Sequence, residues 1–226
     1  MSSQDSTSEF AVKVVLVTSP VGDVEFLDSE QIIAYCARVS NPSNQENTAS
    51  MPKLLKYLQD HNHWSPFEMA HAVLEIDTSR GISPQILRHR SFSFQEHSQR
   101  YQALDESGIV IYAARRQDLT NKQNSIDDLP DPIKKEWKER QSMNWKQSFE
   151  NYKWALDNGI AKECARMVLP LGTKTRMYMA GSIRSWMHYI SVRTDPSTQK
   201  EHRDIAVACK KVLAEHFNSL FGEHDV

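Results

Sequence analysis

The stretch RHRSFSFQEHSQRY, Arg88 to Tyr101, packs arginine, histidine and aromatic residues together without a lysine, glycine or proline. An ordinary solvated helix face favours Glu and Lys in i,i+4 pairs, which this stretch lacks. Arginine presents a rigid, permanently charged fork that meets phosphates and planar oxygens in two parallel bonds. Arg88, Arg90 and Arg100, with His89 and Ser91 between them and Glu96 and Ser98 following, therefore suggest an anion site. Further arginines lie in motifs otherwise apolar or aromatic: Arg166 in ECARMVLPLG, and Arg184 and Arg193 on either side of SWMHYISV. Arg184 and His188 are four residues apart and share a helix face. Any one of these arginines would ordinarily be a surface ion pair; together they suit a ligand with phosphates and flat rings.

HWSPFEMAH, His63 to His71, places His63, Glu68 and His71 close in sequence, but the spacing matches no standard metal site. Ser65 and Glu68 instead read as a turn with short-range hydrogen-bonding groups. The cysteines Cys36, Cys164 and Cys209 are far apart, in apolar-periodic surroundings, and fit mostly buried thiols in a reducing compartment. None has an evident activating neighbour, so no catalytic cysteine is expected.

The whole chain bounds these readings. Its 226 residues suffice for one sizeable core. A formal net charge of -2 argues against coating nucleic acid or an acidic membrane, so basic function must be local. No apolar run approaches the roughly 18 residues of a membrane span, and MSSQDSTSEF lacks the features of a signal peptide. Residues 1–9 read as a frayed tail and 10–221 as a single catalytic domain, expected in the cytoplasm.

The elements that must position these residues follow from periodicity. Phe10–Ser19 has the β-branched density of a strand, the segment around Val73–Asp77 alternates as one, as do Met177 and Met179 around Tyr178, and Gly108–Ala113 reads as a further short strand. Ser29 and Ser50 are cap candidates for helices carrying Ile32, Ile33 and Cys36, and Leu54, Leu55 and Leu58. Ser83 and Pro84 open a helix with Arg88 and Arg90 near its C-terminal end. Residues 115–132 form the best loop candidate. A stripe from Ile133 through Trp137, Trp145, Phe149 and Tyr152 to Leu156 predicts a long helix stopped by Asn158-Gly159. Ser182 caps IRSWMHYISVR, and a last helix follows Pro196. The pattern predicts one α+β domain, a mixed or antiparallel sheet packed by long helices.

Arg88-His89-Arg90, seven residues, then Ser98 resembles the RHRx7S signature of flavin-dependent thymidylate synthases, and SQRY follows it as in that family. ARVS (37–40), HWSPFE (63–68), ECARMVLP (163–170) and IRSWMHYISVRTDP (183–196) resemble the family's other blocks, in family order. The details look most like viral members, which would place the protein in a host cytoplasm. The resemblance implies conversion of dUMP to dTMP, with methylenetetrahydrofolate as carbon donor, NADPH as reductant and FAD as hydride carrier. It also implies a homotetramer with sites between subunits. By position, Ser40, Ser65, Glu68, Arg88, His89, Arg90, Ser91, Arg184 and His188 would contact FAD. Gln85, Glu96, Ser98, Arg100, Arg166 and Arg193 would hold dUMP, with Arg193, Arg100 and Ser98 nearest the chemistry. His63 and Tyr101 would edge the folate or nicotinamide space. The chain departs from the family at Ser182, where Asn is common, and at Ser197, where His is frequent. A competing reading makes RHRSFSF a basic, aromatic strip for single-stranded nucleic acid. That reading calls for a basic domain, which this one is not.

Overall fold

Val12 and Val14, Leu74 and Ile76, and Met177 and Met179 alternate with polar residues, so their strands each offer one apolar face. In the computed structural model, which describes residues 10–104 and 108–223, those faces are aligned. The expected tail at 1–9 lies outside the described residues. The elements run β1 (Ala11–Val17), α1 (Gln31–Ala37), α2 (Met51–Asp60), β2 (His71–Ser79), α3 (Ser83–Ile86) and β3 (Ser93–Glu96). Then come β4 (Arg116–Gln117), β5 (Ser125–Ile126), α4 (Asp131–Asp157), α5 (Lys162–Ala165), β6 (Lys174–Ser182), α6 (Ile183–Arg193), α7 (Lys200–Ala214) and α8 (Asn218–Phe221). The main sheet has the order β1-β2-β6-β3 and every pairing in it is antiparallel. No helix among the described residues is long and apolar enough to cross a membrane.

Register places Val12, Ile76 and Met177 in one row, and Val14, Leu74 and Met179 in the next. Trp186, Tyr189 and Ile190 of α6 and Ile205, Cys209 and Leu213 of α7 join this face in the main core. Trp186 is fully buried, and its indole N–H donates to the Ala72 carbonyl at 3.2 Å, so its polar atom is satisfied. On the opposite face Lys13, Glu75 and Tyr178 align, with Lys13 Nζ 2.9 Å from Glu75, and Arg176 pairs with Asp77 at 2.7 Å. One sheet face is thus core and the other a charged ladder.

Gly181 of β6 has a packing reason. A Cβ there would lie 2.5 Å from Cδ1 of Phe92, whose ring is edge-on to Trp186 at 4.8 Å. Gly181→Ala is expected to cost about 1 to 3 kcal/mol through displacement of Phe92, read as a lower denaturant midpoint. An unchanged midpoint would show that this ring moves freely.

Several expectations need correction. Gly108–Ala113 is extended but forms only the isolated bridge Ile109–Thr173 among the described residues. The side chain of Gln141 on α4 takes both the N–H and the carbonyl of Tyr112, replacing a neighbouring strand. The 115–132 loop contains the small β4–β5 hairpin, whose turn is tied by Asp118 accepting from Thr120 N, Asn121 N and Asn124 Nδ2. The helix opened by Ser83 is a single turn, so Arg88 and Arg90 lie beyond it, where the chain swings toward β3. Asp28, rather than Ser29, accepts from the first N–H groups at α1, at 2.9 and 2.7 Å. Ser29 donates instead to Thr18 O, and Ser50 accepts from Arg38 rather than from its helix.

The long helix forms as expected over 27 residues. Trp145, Phe149 and Tyr152 pack with Ala165 of α5 in a second cluster, whereas Ile133 and Trp137 remain 49% and 43% exposed. Gly159, at φ 77°, stops it, and the 160→155 and 159→156 backbone bonds close the end. After Pro196 the chain makes a turn around Asp195, which accepts from Ser197 N and Oγ, before α7 begins.

Candidate active site

Ser182 turns β6 into α6. Its hydroxyl accepts from Ser185 N at 3.3 Å, as the sequence pattern anticipates. The helix then shows Arg184 and His188 to a cleft of about 900 Å³, a size suited to a cofactor or small ligand. Trp64, Glu68, Ser91, Lys210 and Phe221 share its lining. Arg184 Nη1 reaches Glu68 Oε1 at 3.0 Å. The Ser182 hydroxyl first, and Arg184 further, hold the Glu68 carboxyl below its ordinary value, against the opposing effect of burial. Four residues of the expected flavin set therefore converge here: Glu68, Ser91, Arg184 and His188. Ser65 sits in the same 3-10 turn as Glu68 but does not line the cleft. Ser40, exposed after α1, does not line it either.

The other end of α6 carries Arg193, about 14 Å along the helix axis from Arg184. Its Nε donates to Nε2 of His89 at 2.8 Å. Burial, then the charges on Arg193 and His188, lower the His89 pKa to about 4. His89 thus turns toward the body of the protein. Arg88 and Arg90 are both exposed, and neither has a hydrogen-bond or ion-pair partner among the described residues. The motif's two outer members and its middle member thus have different surroundings in the folded chain.

The expected nucleotide residues are less gathered. Glu96 is enclosed by its own fold, accepting from Ser83 Oγ at 2.7 Å and Thr175 Oγ1 at 2.9 Å and pairing with Arg80 at 3.0 Å. Gln85 bonds Gln199 at 2.7 Å, tying α3 to the start of α7. Ser98 Oγ accepts from Arg100 N at 3.3 Å, with no activating base on it among the described residues. Arg100 meets Glu163 at 3.2 Å in an exposed pair that contributes little and yields readily to a stronger anion. Arg166 has a buried Nε without a partner among the described residues, which is costly unless a ligand supplies an acceptor. His63 is exposed against Tyr57, and Tyr101 is 84% exposed. None of these residues lines the α6 cleft.

Sequence reasoning missed Lys210 and Phe221 in the cleft, which belong to the last two helices and carry no motif. It also missed His202, fully buried, whose Nε2 lies 3.1 Å from the Tyr189 hydroxyl. Its signal was there to read: His202 occupies the apolar stripe of α7 with Ile205, Cys209 and Leu213. The cysteines are only partly as expected. Cys209 is buried and Cys36 half-buried, while Cys164 is exposed. Burial raises the thiol pKa of both Cys36 and Cys209, which disfavours a thiolate.

A family model described as "Thymidylate synthase complementing protein" matches residues 24–217. The chain is 54% identical over 211 residues to the "Flavin-dependent thymidylate synthase" of Synechocystis sp., covering 92% of this chain and 96% of that protein. It is 50% identical over 211 residues to the "Probable flavin-dependent thymidylate synthase" of Paramecium bursaria Chlorella virus 1, covering 93% and 96%. Among solved structures, the UMP/dUMP methylase PolB of Streptomyces cacaoi, bound with 5-Br dUMP, shares the fold at a TM-score of 0.80. That likeness has 24% identity and covers 95% of this chain and 94% of that one. Fold and motifs define an α+β enzyme class, and the chain belongs to the flavin-dependent thymidylate synthase family.

Proposed function

We propose that this chain converts dUMP to dTMP, taking the carbon from methylenetetrahydrofolate and the hydride from NADPH by way of FAD. The observation that carries this reading is the cationic set without partners among the described residues, Arg88, Arg90 and the buried Nε of Arg166, beside an α6 that ends in Arg193 and shows Arg184 to the cleft. An anionic nucleotide and a flavin with its pyrophosphate are the ligands such a set would satisfy. The cleft's donor chemistry fits a flavin nucleotide: Arg184, His188, Ser91 and Lys210 offer polar contacts while Trp64 and Phe221 offer apolar ring surface.

Bound FAD would supply the hydride chemistry that no side chain can perform. The chain's own residues bind and polarise. Arg166 and Arg100 hold the nucleotide's phosphate side, Arg100 giving up its exposed pair with Glu163 to do so. Uracil C5 is a poor nucleophile until negative charge is drawn onto the ring carbonyls, and Arg193 provides that stabilisation. Ser98 positions the nucleotide; Gln85 and Glu96 brace the wall behind it. His63 and Tyr101 edge the space for folate or nicotinamide.

Four residues of the flavin set, Glu68, Ser91, Arg184 and His188, line one cleft, while the remaining flavin residues and the nucleotide set lie outside its lining. A second copy bringing its Arg88–Tyr101 stretch to that cleft would join the two, which supports a homotetramer with shared sites. The catalytic unit is the 10–221 segment, working in a reducing cytoplasm where its thiols stay free.

Adding FAD to the purified chain should give a yellow protein that keeps its flavin bands through gel filtration and alters flavin fluorescence. Saturating FAD that neither comigrates nor changes its emission would sink the reading.

A further inference from the structure

Between α6, α7 and the turn before β3 runs a chain of contacts that binding alone does not require. Arg193 Nε donates to His89 Nε2 at 2.8 Å. That nitrogen must present a lone pair, so the ring is neutral and its proton sits on Nδ1. The Tyr189 ring stands edge-on to His89, centroids 4.9 Å apart at 82°, and Tyr189 is fully buried. The Tyr189 hydroxyl meets His202 Nε2 at 3.1 Å, and the His202 ring centre is 6.3 Å from that of His89. His202 Nδ1 is buried without a partner among the described residues. An orphaned buried N–H is rarer than an orphaned acceptor, so the His202 proton belongs on Nε2, donated to the tyrosine oxygen.

A leucine at 202 would fill the apolar stripe of α7 without burying a polar ring. The imidazole instead fixes the angle of Tyr189, and Tyr189 is the wall against which His89 rests. Were His89 protonated, its Nε2–H would face the Arg193 Nε–H and the bond would be lost. The other charged or titratable groups about His89 are His188 on α6, and Arg88 and Arg90 on its own turn.

We infer that His202 and Tyr189 are positioning residues for Arg193: they hold the His89 imidazole in one tautomer and one orientation, so that it accepts from Arg193 Nε and leaves the terminal guanidinium nitrogens for the nucleotide. This rests on the reading of Arg193 as the contact to the uracil ring.

The test compares His202→Gln, whose amide can still donate to the Tyr189 hydroxyl, with His202→Leu, which cannot. His202→Leu is expected to lower kcat for dTMP formation at saturating dUMP by about 10- to 100-fold, the usual effect of losing an orienting partner. His202→Gln should recover most of that loss. In full-length protein labelled with nitrogen-15 in histidine, His89 should appear as one Nδ1–H tautomer. In His202→Leu it should appear as a mixture. If His202→Leu does not fold, Tyr189→Phe removes the same hydrogen bond while keeping the ring, and the same mixture is expected. An unchanged His89 signal in the folded Leu or Phe variant overturns the inference, as does a Gln variant no better than Leu. Normal dTMP formation by Arg193→Ala would instead fail the nucleotide reading alone, because the His89 signal still decides the positioning role.

Discussion

Arg193→Ala is expected to fold, bind FAD and oxidise NADPH, yet form dTMP about 100- to 1000-fold more slowly. Arg193 is half-buried at the end of α6, and only its Nε has a partner, His89, among the described residues. The rest of the fork is available to a ligand. If that ligand is the uracil ring, charge develops on its carbonyl oxygens only as C5 attacks. The contact then strengthens in the transition state, and its removal lowers kcat rather than raising KM. A factor of that size corresponds to about 3 to 4 kcal/mol. Lysine should rescue poorly, since a point charge can neither bond His89 through Nε nor offer two parallel donors. Steady-state dTMP formation at saturating dUMP checks this; near-normal turnover would place the ring-activating charge on another residue.

The second large effect is on stability in mild acid. His89 is held neutral down to about 4, by burial first and then by the charges on Arg193 and His188. His202 is held neutral down to about 3, by burial and then by Arg193 and His89. Both start from 6.5 in the unfolded chain. Between pH 6.5 and 4 the unfolded chain binds protons that the folded chain refuses, so stability falls as the pH falls through that window. Above it the contribution is level. Each histidine approaches about 1.4 kcal/mol per pH unit, less for His89, which is partly solvated and screened. Carboxyls held low, such as Glu68, add their loss only below 4.5. Glu30, raised by burial above 4.5, works the other way. Denaturant unfolding at pH 7, 6 and 5 should therefore show a steady drop, and His202→Gln should flatten it. Equal stability at pH 7 and 5 would mean that both rings take up protons in the folded chain without penalty.

What the sequence alone determined are features decided by near neighbours in the chain. Alternation in β2 and β6 sets the core face because a strand's side chains change sides at every residue, whatever the partner. The Ser182 cap and the Gly159 stop close hydrogen bonds within a few residues of themselves. The arginines were legible for a similar reason, since their residue type carries the chemistry. The tertiary structure decided the rest. Gly108–Ala113 has the composition of a strand, yet its pairing stops at the Ile109–Thr173 bridge and Gln141, far along the chain, takes the backbone groups of Tyr112. Glu96 has the type of a substrate contact, yet Ser83, Thr175 and Arg80 surround its carboxylate. His89 lies between two exposed arginines and nevertheless faces inward, because Tyr189 and Arg193 are waiting there. Lys210 and Phe221 reach the cleft only because α7 and α8 fold back beside α6. Which groups meet across a hundred residues depends on how helices cover a sheet, and short-range patterns hold no record of that.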